Sequence, residues 1–159
     1  MFGRGIIGLI GGLVVIALNT GAWALQAGGV EVGDLETGSV VGQPFKELPV
    51  DFEVYATEVG NLKILYPPTS VLDLKVRPGT PVLIKVTNKS SVERGFLMTA
   101  DTAQAAPTVL RAQLVLKPGE SKYVGVPLSD LLYATAGNTL TYRDHLDPKS
   151  VSGKLVLIK

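Results

Sequence analysis

Two Pro-Gly turns, Arg77-Pro78-Gly79-Thr80 and Lys117-Pro118-Gly119-Glu120, constrain this chain more than any other feature. Proline at the second position and glycine at the third is the type II preference: proline presets φ, and glycine accepts the positive φ that follows. Each turn stands just before a short segment with the period of a strand. Val82, Ile84 and Val86 share one face of 82–87, and 122–126 follows the second turn. The same signal recurs over 52–59, 71–76, 96–99, 110–116, 139–142 and 154–158, and over 62–66, which Pro67-Pro68 stops. Between them only 100–109 and 129–136 have room for a helical turn or two. Many short strands with this punctuation fold as an all-β two-sheet sandwich or Greek-key barrel, here of about eight strands over 50–159.

The first 49 residues differ. Residues 5–25 carry no charge and are mostly Ile, Leu, Val, Gly and Ala, and a run of roughly 20 such residues spans a hydrocarbon core as a helix. One reading is a signal peptide, with Arg4 as its basic start and Ala22-Trp23-Ala24 as a cleavage site. The other is a transmembrane anchor over 1–25. Trp23 then sits at the interface, and Gly8 and Gly12 have the spacing that admits a second helix. The anchor is the reading adopted. Arg4 then keeps the N-terminus cytoplasmic and sends the C-terminal domain to the periplasmic side. Residues 26–49 turn to Gly, Val, Glu, Asp, Ser and Pro without a sustained period. They read as a linker or extended arm, long enough to lie on a partner or along the domain edge.

Fifteen basic residues against 14 acidic ones, scattered along the chain, leave no basic face for phosphates, so nucleic acid is not an expected partner. The absence of cysteine excludes disulfides, thiolate catalysis and cysteine-ligated copper or zinc. A single histidine cannot build a metal triad, and neither a Gly-x-Ser-x-Gly nor a phosphate-loop pattern occurs. No enzyme, cofactor or metal is expected. Met98 reads as core packing and His145 as a loop histidine.

The C-terminal stretch TYRDHLDPKSVSGKLVLIK, over 141–159, resembles the metal-binding loop of a cupredoxin. Tyr142, Gly153 and the strand 154–158 match that frame, as do the two Pro-Gly turns and Asn88 at the end of the first strand after them. The resemblance covers about 50–159 and implies a cupredoxin-like Greek-key fold. The residues at the family's ligand positions are not ligands. Arg94 stands for the upstream histidine, Arg143 for the cysteine and Val151 for the methionine, while Leu146 is in register with the loop histidine and His145 lies one residue early. Two guanidiniums at one end call for local carboxylates, with Asp144, Asp147 and Glu93 as the candidates. One membrane helix ahead of such a domain is similar to the single-helix form of oxidase subunit II, whose paired copper-binding cysteines are missing here.

These features imply a non-catalytic, membrane-anchored accessory subunit. Its copper-free domain is expected to dock on the periplasmic face of a larger respiratory or photosynthetic complex. Its partners are then the bilayer and other subunits of that complex. Candidate contact residues are Gly8, Gly12 and Trp23 in the anchor and Arg94, Arg143 and His145 in the loops. The alternative is a periplasmic carrier of a small ligand or anion, released by cleavage after Ala24.

Overall fold

The computed structural model describes residues 25–27, 29–77, 79–100, 110–133 and 137–159. The strands run in chain order as β1 (Leu25–Ala27), β2 (Glu31–Gly33), β3 (Ser39–Val40), β4 (Gln43–Pro44), β5 (Phe52–Val59), β6 (Leu62–Tyr66) and β7 (Thr69–Asp73). Then follow β8 (Val82–Asn88), β9 (Arg94–Ala100), β10 (Arg111–Leu116) and β11 (Ser121–Val126). After the short helix α1 (Leu128–Tyr133) come β12 (Thr139–Arg143) and β13 (Gly153–Ile158).

The strands form two main sheets, in the orders β1-β10-β9-β12-β13-β7 and β2-β11-β8-β5-β6, with β3 and β4 as a separate hairpin. Each main sheet contains one parallel pair, β13 with β7 and β5 with β8, and is otherwise antiparallel. The hairpins β5–β6, β9–β10 and β12–β13 each stay within one sheet, while β6–β7, β7–β8, β8–β9, β10–β11 and β11–β12 cross between sheets, and the result is a mostly-β two-sheet sandwich. The inward faces meet in one core, where Val54, Ile84 and Val86 of one sheet face Phe96, Met98 and Leu140 of the other. Gly79 and Gly119 have φ of 79° and 78°, as type II turns require at those places.

Residues 26–49 form an arm along the domain rather than a free tether. β2 pairs with β11, and Phe45, fully buried in a 3₁₀ turn (Phe45–Glu47), packs with Val40 against Leu83 on the outer face of the second sheet. A Cβ at Gly125 would stand 2.6 Å from the Phe45 ring, so the missing side chain is what admits it. This explains why β8 is buried on both faces, with Leu83 and Ile84 each fully covered.

The anchor expectation, with Gly8, Gly12 and Trp23, lies outside the described residues except at Leu25. That residue begins β1 and pairs opposite Gln113, so the strand claims the last position assigned to the anchor. Among the described residues no helix is long and apolar enough to cross a membrane.

Candidate functional site: a closed loop end

Four connections meet at one end of the sandwich: the β5–β6 hairpin, the β8–β9 loop, the Lys117–Glu120 turn and the β12–β13 loop. Asn88 ties two of them together from a fully buried position. Its amide nitrogen donates to the carbonyls of Val92 (2.7 Å) and Leu116 (3.0 Å), and its oxygen accepts from the Ser90 N–H (2.9 Å) and hydroxyl (2.7 Å). The Asn88 carbonyl accepts from the Gly119 N–H at 2.8 Å. The polar loop residue Ser90 is thus consumed in holding the turn.

Arg94 opens β9 and points into this end, where its side chain is 1 % exposed. Its Nε donates to Asp144 Oδ2 at 2.6 Å, and the Asp144 side chain is itself 0 % exposed. The other guanidinium nitrogens reach the Thr57 carbonyl (3.2 Å), the Ser150 hydroxyl (3.1 Å) and, at 3.5 Å, the Ile64 carbonyl. Asp144 Oδ1 accepts from the N–H groups of Gly95 (2.8 Å) and Leu146 (3.0 Å). One ion pair therefore joins β5, β6, β9 and the β12–β13 loop. Burying two charges is costly unless each is paired and its remaining hydrogen-bonding sites are used, and both conditions hold here.

The rest of the loop packs onto that pair. Tyr142 stacks on Phe96 with ring centroids 5.9 Å apart, and its hydroxyl donates to the Pro67 carbonyl. Burial raises the Tyr142 phenol above its ordinary pKa, with a Ser70 hydrogen bond opposing. Gly153 is required by this ring, since a Cβ there would lie 2.1 Å from it. Gly95 plays the same part for His145: a Cβ would meet Nδ1 at 2.6 Å and Asp144 Oδ1 at 2.8 Å. His145 Nδ1 is buried and, among the described residues, has no hydrogen-bond partner. Desolvation lowers the imidazole's pKa first, Arg111 and Arg143 lower it further, and Asp144 opposes. The Asp147 carboxyl is held below its usual range by the Lys63 ammonium, 3.2 Å away, and by the Lys149 N–H.

The contact candidates separate accordingly. Arg94 is sealed inside the domain, its guanidinium turned to Asp144, Thr57 and Ser150 rather than presented at the surface. Arg143 is exposed and, among the described residues, makes no ion pair. It lines a shallow cleft of about 340 Å³ with His145, Asp147 and Ser152. Of the three carboxylates expected to pair with arginine, Asp144 takes Arg94 and Asp147 takes Lys63. A second arginine–carboxylate pair, Arg77 with Asp51, has no signal in the sequence. It closes the start of β5, where Asp51 also accepts from the Leu83 N–H at 2.9 Å.

The site does not fit a copper ion. A cysteine-free loop offers no thiolate, one imidazole turns its buried nitrogen against Gly95, and a paired guanidinium occupies the interior. Among the described residues no group of three or more His, Cys, Asp or Glu side chains is placed to hold a metal ion.

No protein-family model and no curated protein matches the chain. Solved structures similar to it include cupredoxins. Auracyanin B is 13% identical, with a TM-score of 0.49, over 81% of this chain and 99% of its own. A reduced auracyanin from the photosynthetic bacterium Roseiflexus castenholzii is 11% identical, with a TM-score of 0.48, over 68% of this chain and 96% of its own. A purple cupredoxin from Nitrosopumilus maritimus is 13% identical, with a TM-score of 0.45, over 67% of this chain and 99% of its own.

Proposed function

We propose that this chain is a membrane-anchored, non-catalytic accessory subunit whose domain docks on the periplasmic face of a larger energy-transducing complex, respiratory or photosynthetic. The observation that carries the reading is the buried Arg94–Asp144 pair. It fills with protein charge and hydrogen bonds the end where a cupredoxin would hold its metal, and so favours a scaffold over an electron carrier. The uncharged run 5–25 supports the anchor, and the arm 26–49, tied to the second sheet through β2 and Phe45, keeps the domain close to it. The choice of complex rests on the family resemblance alone. Purifying the full-length protein from native membranes in mild detergent tests the reading. Other membrane subunits are expected in fixed ratio, and a lone monomer would refute it.

A specific observation favours a second reading. β1 begins at Leu25, so cleavage after Ala24 would leave the sandwich whole. A released domain would offer the Arg143 cleft to a small anion. The intact mass of the protein from cells separates the two, because a chain starting at Leu25 belongs only to the released form.

A further inference from the structure

Large apolar side chains are exposed at both ends of the sandwich. Val59, Leu62, Val92 and Leu146 stand at the loop end that holds Arg94, with exposures from 42% to 62%, while Val76 and Tyr133 stand at the opposite end at 78% and 85%. Exposure alone does not say which end meets a partner. The direction of β1 does.

β1 runs antiparallel to β10, with Leu25 opposite Gln113 and Ala27 opposite Arg111. β10 runs from Arg111 towards Leu116, which lies opposite Arg94 at the loop end. The chain therefore enters the sheet at Leu25 travelling away from the loop end. Three residues separate the level of Gln113 from that of Leu116, or roughly 10 Å at the rise of a strand. Leu25, the last residue of the apolar run, thus stands just short of the loop end.

We infer that the loop end rests on the bilayer surface, with Val59, Leu62, Val92 and Leu146 seated among the headgroups. The inference depends on the anchor reading of 5–25 proposed above. An interfacial seat needs shallow apolar side chains flanked by cations rather than a deep groove. Lys89, Lys117 and Lys149 are exposed on the loops of this end, beside the exposed Glu58 and Glu93. The excess of positive charge is small, so the contact is mainly apolar, helped by anionic lipid. Exposed side chains on a polar rim also explain why this end needs an internal lock: Arg94, Asp144 and Asn88 hold the loops without any partner, leaving their outer side chains free for the membrane.

The absence of cysteine makes the test direct. Leu62→Cys and Leu146→Cys at the loop end, and Val76→Cys and Tyr133→Cys at the other, each give one labelling site for an environment-sensitive fluorophore in the full chain. Each labelled protein is reconstituted into phosphatidylcholine vesicles containing phosphatidylglycerol, with and without lipids carrying a shallow nitroxide quencher. Flotation of the vesicles is scored in parallel. The expected result is that the protein floats, with several-fold stronger quenching at positions 62 and 146 than at 76 and 133. Flotation with equal or reversed quenching overturns the inference and leaves the anchor standing. Failure to float overturns the anchor reading and the inference with it.

Discussion

Replacing Arg94 by Met isolates the contribution of the buried ion pair. The substitution keeps an apolar stem of similar length and removes the guanidinium, so Asp144 stays 0 % exposed with its charge unpaired. Removing one partner of a buried pair costs about 3–5 kcal/mol. Asp144 retains two donors, the Gly95 and Leu146 N–H groups at 2.8 and 3.0 Å, which places the expected loss near the lower bound, about 3 kcal/mol. For a domain of this size about 4 °C of Tm accompanies each kcal/mol, so melting should fall by about 12 °C. The assay is thermal unfolding of the full-length protein in detergent, followed by near-ultraviolet circular dichroism. Asp144→Asn supplies a sign test. In the native background it strands the guanidinium and destabilises, while in Arg94→Met it removes an unpaired charge and should restore stability. A loss for Arg94→Met below about 1 kcal/mol, the range of surface pairs, would refute the reasoning. So would destabilisation by Asp144→Asn in both backgrounds.

Further outcomes follow from neighbouring contacts. Asn88→Ala removes the side-chain donor to the Leu116 carbonyl and the acceptor of the Ser90 N–H, leaves the Val92 carbonyl with only the Ser90 hydroxyl at 3.0 Å, and should cost about 2–3 kcal/mol in urea unfolding. Gly153→Ala drives a Cβ into the Tyr142 ring, which the Phe96 stack and the Pro67 carbonyl hold in place, and should cost about 1–3 kcal/mol by the same assay. The lowered pKa of His145 means that the unfolded chain binds this proton more readily than the folded one. That contribution to stability is complete above the ordinary histidine pKa and is lost as pH falls below it. His145→Gln should therefore flatten the acid side of the stability profile, and an unchanged slope would contradict the burial argument.

The sandwich was legible because alternation and Pro-Gly punctuation are local properties. β5 and β6 fall where periodicity places them, and Gly79 and Gly119 have the backbone that their turns demand. The arm was less legible. Its burial depends on Phe45, the lone aromatic of 26–49, reaching across the sheet to Leu83 and Gly125, a contact no local pattern encodes. At the loop end the sequence supplied the residue types and one correct partner, Asp144 for Arg94. It gave no sign that both are buried, because charge reads as surface until the tertiary contacts are known. Gly153 carried a visible signal as a match to the ligand-loop frame, and Gly95 directly follows Arg94 at a ligand position. Their physical reason, the close approach of His145 and of the Tyr142 ring, emerged only from the fold.

In the proposed scaffold role, the loop end of this sandwich is held by protein charge and takes no copper. Native mass spectrometry of the full-length protein, titrated with copper at neutral pH, tests it most directly. No discrete copper adduct is expected, because the buried positions are held by Arg94 and Asp144 and a single imidazole remains. A one-to-one adduct that disappears in His145→Gln would contradict it, and would make this end a metal site.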